Sequence, residues 1–341
     1  MQSDARDAKC LIIFALLGIA LTLDVIGSRG IAQQDLARLL ELEGKIPLGE
    51  VNGRIDHLAF DPSRKQVFIA ELQNNSVGVV GLGNGRLLHR ITGLSEPQGV
   101  GYVPSADMLF VANGGDGTVR DFKGGDFTPT GVQALDSDAD NVRVDAETGH
   151  VYVGYGAGAL AVIDPATQKK IKDIELPVHP ESFEISQSTR QIFVNLPNAG
   201  SIAVLGKEGD AQQATWPTAN AQGNFAMALD EENSSVVVVY RSPPKLSVRD
   251  MRDGAVIADH DTCGDVDDVF VDSKRQRVYV TCGEGFIDVF HARADYAHLA
   301  RIATRRGART SLFIPALDRL AVAARANGND PAELWIYRPL P

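Results

Sequence analysis

Past residue 38, short apolar runs rich in β-branched and aromatic residues alternate with clusters of Gly, Asn, Asp and Pro, and no helical period separates them. One run recurs: VFI at 67–69, LFV at 109–111, VYV at 151–153, IFV at 192–194, VVV at 236–238, VYV at 278–280 and LAV at 320–322. The central residues Phe68, Phe110, Tyr152, Phe193, Val237, Tyr279 and Ala321 fall 41–44 residues apart. Each copy has the same order of parts. A short apolar strand ends at Asp or in a Pro-containing turn (FDPSRKQ, YVPSADM, VDAETGH), the recurrent strand follows, and a loop leads to a third and a fourth strand. Broken β-rich runs of this kind read as antiparallel sheet. Four strands in about 42 residues match one propeller blade.

The pattern therefore predicts an all-β fold, a seven-bladed β-propeller of four-stranded antiparallel blades. The last copy supplies three strands, near 309–314, 318–324 and 332–338. An open ring would leave long unpaired edges. The stretch LLELEGKIPL at 39–48 is expected to supply the missing fourth strand and close the ring, making 39–341 a single domain.

The first 32 residues read as a signal peptide. Arg6 and Lys9 precede the apolar run Leu11 to Leu23, and Gly30-Ile31-Ala32 is a small-x-small cleavage pattern ahead of a short leader at 33–38. The run is short for a membrane span. The expectation is a periplasmic or secreted protein, with no membrane attachment after cleavage. Of three cysteines, Cys10 lies in the leader, leaving Cys263 and Cys282. In an oxidising compartment an even count suggests a bridge, and hairpin pairing brings these two to one side of blade six. A net charge of −11 opposes phosphate backbones, so nucleic acid is not an expected partner. A monomer is expected.

The stretches GRIDHLAFD, EPQGVGYVP, DADNVRVD, HPESFEIS and CGEGFIDVF, together with Tyr279-Val280-Thr281, resemble the YVTN-repeat, YncE-like family of bacterial seven-bladed propellers. The resemblance spans 39–341 and implies the propeller fold. Relatives include exported proteins, and similar propellers serve in lactonases and quinoprotein dehydrogenases. DNA binding has been associated with some YncE-like relatives; the acidic charge and the leader argue against it here. Fold alone does not fix function.

The repeat also aligns the polar residues where each innermost strand leaves the channel mouth. One column reads Asp56, Gln98, Asp140, Glu181, Phe225, Asp267, Arg309. Two positions earlier stand Arg54, Glu96, Asp138, His179, Gly223, Asp265, Gly307. One position later stand His57, Gly99, Asn141, Ser182, Ala226, Asp268, Thr310. The loops between second and third strands are expected to add Glu71, Asn113, Tyr155, Asn195, Arg241 and Arg325. Arg54, Asp56, His57, Gln98, Asp138, Asp140, Asn141, His179, Glu181, Asp265, Asp267 and Arg309 are thus the candidate ligand-binding residues. A single Asp before a strand commonly fixes its own turn by accepting backbone N–H groups. Crowded carboxylates at one concave mouth point instead to a ligand site.

Three readings follow. The mouth binds a small polar molecule or a periplasmic protein, without chemistry. Alternatively, Asp56, Asp140, Glu181 and Asp267 hold Ca²⁺ or a similar divalent cation in a lactonase-type hydrolase, with His57, Asp140 or Asp267 as the catalytic candidates. Third, the chain is an accessory protein of a periplasmic redox enzyme; it carries no CxxCH haem motif. Binding is favoured over catalysis, and no cofactor is required by the sequence. Arg143 and Glu184, in one column of adjacent blades, are expected to form an inter-blade ion pair.

Overall fold

The computed structural model describes residues 39–206, 209, 211–219 and 221–341. The leader at 1–32 and residues 33–38 lie outside the described residues.

Seven sheets of four antiparallel strands follow one another in chain order. Blade one is Leu58–Asp61, Gln66–Glu71, Ser76–Gly81 and Arg86–Thr92. Blade seven takes Thr310–Ile314, Arg319–Ala324 and Glu333–Pro339 from the C-terminal end and Leu40–Pro47 from the N-terminal end. The two ends pair from Leu40 opposite Pro339 to Pro47 opposite Glu333. Side chains reinforce this seam. Lys45 Nζ lies 4.1 Å over the Trp335 ring, Arg319 Nη2 donates to Glu43 Oε1 at 3.0 Å, and Arg338 pairs with Glu41. The ring closes as the pattern predicts.

The recurrent column is the core of each blade. Phe68, Phe110, Phe193, Val237, Tyr279 and Ala321 are fully buried, and Tyr152 nearly so. Alternate residues of each strand face the two neighbouring blades, so apolar clusters form between blades. One joins Phe68 and Val79 of blade one to Tyr102 and Leu109 of blade two; another joins Tyr279 and Ile287 of blade six to Phe313 and Tyr337 of blade seven. Burial of both faces explains why the second and third strands of each blade read largely apolar, while outer strands such as Arg86–Thr92 and Lys169–Glu175 are largely exposed.

The Asp-containing turns opposite the mouth have a structural role. Asp61, Asp145 and Asp272 accept backbone N–H groups of their own turns. Each is also held by an arginine, and that arginine bridges to a neighbouring blade. Arg64 joins Asp61 to Asp107 at 2.7 Å, Arg190 of blade four reaches Asp145 of blade three at 2.7 Å, and Arg275 joins Asp272 to Asp318 at 2.6 Å. Bidentate pairs of this sort fix the spacing of adjacent blades.

Two positions break the apolar pattern of the third strands. Asp121 stands where the other blades have Val79, Val162, Val204, Val248, Val289 and Ile336, as their shared pairing to the recurrent column shows. It is fully buried, and neither carboxylate oxygen has a hydrogen-bond partner. Burial pushes its pKa up to about 6, with the nearby Gln133 side chain opposing. One position later, Arg249 interrupts a second apolar column.

Candidate functional site

The channel mouth is built from one recurring backbone device. In blades two, five and six the pairing of the first two strands shifts register between Pro97 and Val100, Asn224 and Ala226, and Val266 and Asp268. Gln98, Phe225 and Asp267 stand in these bulges. In blades one, three and four the same column precedes the regular ladder, where Asp56, Asp140 and Glu181 donate their backbone N–H groups to Ala70, Gly154 and Asn195. A bulge re-aims one side chain out of the alternation, and here it turns the column toward the channel. Two positions earlier the backbone is left-handed at Glu96, Asp138, Gly223, Asp265 and Gly307. Gly pays no steric penalty there, and Asp tolerates this conformation better than most residues. That conformation carries Glu96, Asp138 and Asp265 outward, and all three are exposed on the rim.

The deep cluster is therefore smaller than the set of carboxylates that the sequence aligns. It contains Asp56, Asp140, Glu181 and Asp267, with His57, Arg241 and Arg309. Arg54 Nη2 donates to Asp56 Oδ2 at 3.0 Å. Arg309 bridges Asp267 at 2.8 Å and Asp265 at 3.0 Å. Arg241 stacks 3.6 Å over the Phe225 ring, donates to the Val266 carbonyl and pairs with Asp267. His57 Nδ1 reaches across to Asp268 Oδ1 at 3.5 Å, while Nε2 lies 3.9 Å from Asp56. Asp268 is held by the Ser311 N–H at 2.8 Å.

Asp140 and Glu181 have no such partner. Among the described residues, no cation lies within ion-pair distance of either carboxylate, and neither accepts a side-chain or backbone hydrogen bond. Burial, then the charge of Asp56, pushes Asp140 up to about 8, against the pull of His57. Burial, then Asp267, pushes Glu181 up to about 7, with Arg241 opposing. Asp267 rises to about 6 from burial, although Arg309 lowers it. Burial would depress His57, but Asp268, Asp56 and Asp140 outweigh it and raise the imidazole to about 10.

These values alter the candidate roles. His57 is protonated at neutral pH, so it serves as a charged donor and is a poor general base. Among the described residues no group of three or more His, Cys, Asp or Glu is arranged to hold a metal ion. Asp56, Asp140, Glu181 and Asp267 thus share one field without forming a ready ligand set.

Other candidates are placed differently. Gln98 Nε2 donates to Asp138 at 3.0 Å, and His179 bonds the Gly156 carbonyl at 2.7 Å, so this trio forms the outer rim of blades two to four. Glu71, Asn113 and Asn195 do not reach the mouth. They are fully buried and satisfied within the blades, Glu71 by Ser76 and Arg90, Asn113 by Thr118, Asn195 by Asn224 and the Ala226 carbonyl. Tyr155 turns to Asp173 at 2.9 Å. Asn141 is buried and faces Arg143. The expected ion pair is present: Arg143 Nε donates to Glu184 Oε1 at 2.9 Å and Nη2 to Ser182 at 3.1 Å.

Below the mouth the channel holds a cavity of about 490 Å³. Its polar lining includes His57, Asp267, Asp268, Arg143, Glu184 and Glu231, and its apolar lining includes Phe60, Tyr102, Ile185, Leu229, Val271 and Leu312.

Cys263 and Cys282 form a disulfide beside this mouth. The Cys263 N–H donates to buried Asp288 at 2.8 Å, anchoring the segment that leads into Asp265 and Asp267. The bridge spans 19 residues, which in the chain-entropy account contributes about 3 kcal/mol. Replacing both cysteines by alanine is expected to lower the urea-unfolding free energy by about that amount. A loss below about 1 kcal/mol would show that the Asp288 anchor holds the segment alone.

No family model matches the chain, and no curated protein matches it. A solved structure, described as "Crystal Structure of Mitotic Checkpoint Complex", contains a chain that superposes with a TM-score of 0.74 at 11% identity, over 98% of this chain and 99% of that one. The chain is a seven-bladed β-propeller. At that identity the likeness concerns architecture alone.

Proposed function

We propose that this is an exported propeller of the YncE-like kind whose channel mouth binds a small polar ligand through a cationic group. One observation carries the reading: Asp140 and Glu181, side by side in blades three and four, are carboxylates without a cation partner. Burial and neighbouring carboxylates raise the pKa of both, so each favours its neutral form while no cation contacts it. Arg241 and Arg309 pair with Asp267, and Arg241 and His57 act on the Asp140–Glu181 pair only through space. An ammonium group between the two carboxylates would replace the missing cation, and the cavity below has room for the rest of a small molecule. A lysine from a periplasmic protein partner offers the same chemistry. Export is supported by the leader sequence and by the disulfide, since cytosolic thiols stay reduced. The YncE-like assignment rests on the sequence resemblance. The protonated state of His57 and the scattered carboxylates favour binding over metal-assisted hydrolysis.

Native mass spectrometry of the protein purified from an exporting host tests this reading. The expected spectrum shows a bound small molecule with an amine or quaternary ammonium group, lost in Asp140→Asn. A ligand-free spectrum unchanged by added amines, or a purely anionic ligand, would overturn it.

A further inference from the structure

Away from the mouth, blade five carries a charge where its six counterparts have none. Arg249 pairs with Val236 at the register where the other blades place Val80, Phe122, Ile163, Leu205, Phe290 and Tyr337. It is only 6% exposed. Its partners are all neutral: the Gly254 carbonyl at 3.2 Å, the Pro217 carbonyl at 3.1 Å and the Tyr240 hydroxyl at 3.4 Å. Among the described residues no carboxylate pairs with it, and its buried Nε has no hydrogen-bond partner. A buried guanidinium normally has a counter-charge, because carbonyl dipoles alone do not repay its lost hydration.

Arg249 also lines a cavity of about 160 Å³ at the junction of blades four and five. Tyr240, Ser247 and Thr218 line it as well, all buried. At its exposed side Lys245 and Asp259 pair at 3.1 Å and cancel each other, so the charge of Arg249 is the one left over. A guanidinium without a counter-charge, lining a pocket that also carries hydroxyl groups, is the chemistry that recognises an oxyanion.

We infer that this pocket is a binding site for a small oxyanion, a phosphate or the carboxylate end of a compact metabolite, with Arg249 as its anchor. The site is independent of the mouth. The volume limits the occupant to a single small anion with few waters.

Isothermal titration of the full chain with inorganic phosphate, at fixed ionic strength, tests the site; sulfate and acetate in parallel separate a tetrahedral from a carboxylate preference. One-to-one saturable binding is expected, weakened at least tenfold in Arg249→Leu. Leucine is what blade four holds at this register, so that variant is expected to fold. Arg249→Lys keeps the charge without the fork, and an intermediate affinity is expected; it decides the matter if the leucine variant fails to fold. Asp140→Asn should bind phosphate as the unaltered protein does. Phosphate stabilises proteins generally by exclusion from their surface, so a melting-temperature rise shared equally by Arg249→Leu counts against the site. The inference is overturned by absent saturation, or by equal affinity in the arginine variants.

Discussion

Asp140→Asn is expected to make the protein more stable and to abolish ligand binding. Burial, then the charge of Asp56, raises the carboxylate's pKa to about 8 against the through-space pull of His57, and among the described residues no cation is in ion-pair contact with it. A folded-state pKa above the unfolded value of 3.8 means that the native state holds the proton more tightly. The group therefore favours folding at low pH, and that advantage is lost as pH rises from about 4 through 8. Asparagine removes the charge, and no hydrogen bond to the carboxylate is sacrificed. The expected gain at pH 8 is a few kcal/mol, shrinking toward zero at pH 4. Glu181→Gln should behave alike with a window ending near pH 7. Charged groups that destabilise the fold at a channel mouth are a usual sign of a binding site. Urea denaturation at pH 4, 6 and 8 measures the effect; a variant less stable than the parent at pH 8 would show that Asp140 is a structural turn residue.

The second large effect is expected far from the mouth, at Asp121. Its burial between blades two and three, with both oxygens unpartnered, raises its pKa to about 6. The sign is the same: the penalty is absent below pH 4 and complete above pH 6. Asp121→Val places in blade two the residue that blades one, three, four, five and six already carry at this register. The stability gap between variant and parent is expected to widen by about 3 kcal/mol from pH 4 to pH 7. Asp121→Asn should recover only part of this, because its amide stays buried without partners. A gap that does not change with pH would mean that Asp121 is solvated or paired in solution.

How much of this was legible in the sequence differs by level. The ring was legible because Phe68 and its counterparts repeat at a nearly constant step, and a buried column tolerates few residue types. The closure was legible because a propeller cannot leave the edge of Glu333–Pro339 open. The register of Asp56, Asp140, Glu181 and Asp267 was legible too, since all stand two positions before the apolar column Leu58, Val142, Phe183 and Val269 of the inner strands. Side-chain direction was not. Whether Glu96 or Asp138 faces the axis depends on a left-handed backbone that their residue types permit but do not announce. Glu71 looked like a mouth residue and is buried because Arg90, from a strand two removed, reaches back to it. Asp268 was aligned with His57 but not recognised as its partner, because the contact crosses the channel between blades one and six. Asp121 and Arg249 carried a readable signal, a charge in an otherwise apolar column, visible once the third strands are aligned by the same repeat.

The most direct test of the mouth as a cation-accepting site is calorimetric titration with simple ammonium compounds, n-butylammonium, cadaverine and choline, beside Ca²⁺, at pH 6.0 and 8.5. The predicted result is one-to-one binding of an ammonium compound that releases protons from Asp140 and Glu181. Affinity should rise toward pH 8.5 by as much as about tenfold per pH unit for each proton displaced, and the double variant Asp140→Asn/Glu181→Gln should lose binding. The contradicting result is no ammonium binding at either pH, or binding that the double variant retains unchanged.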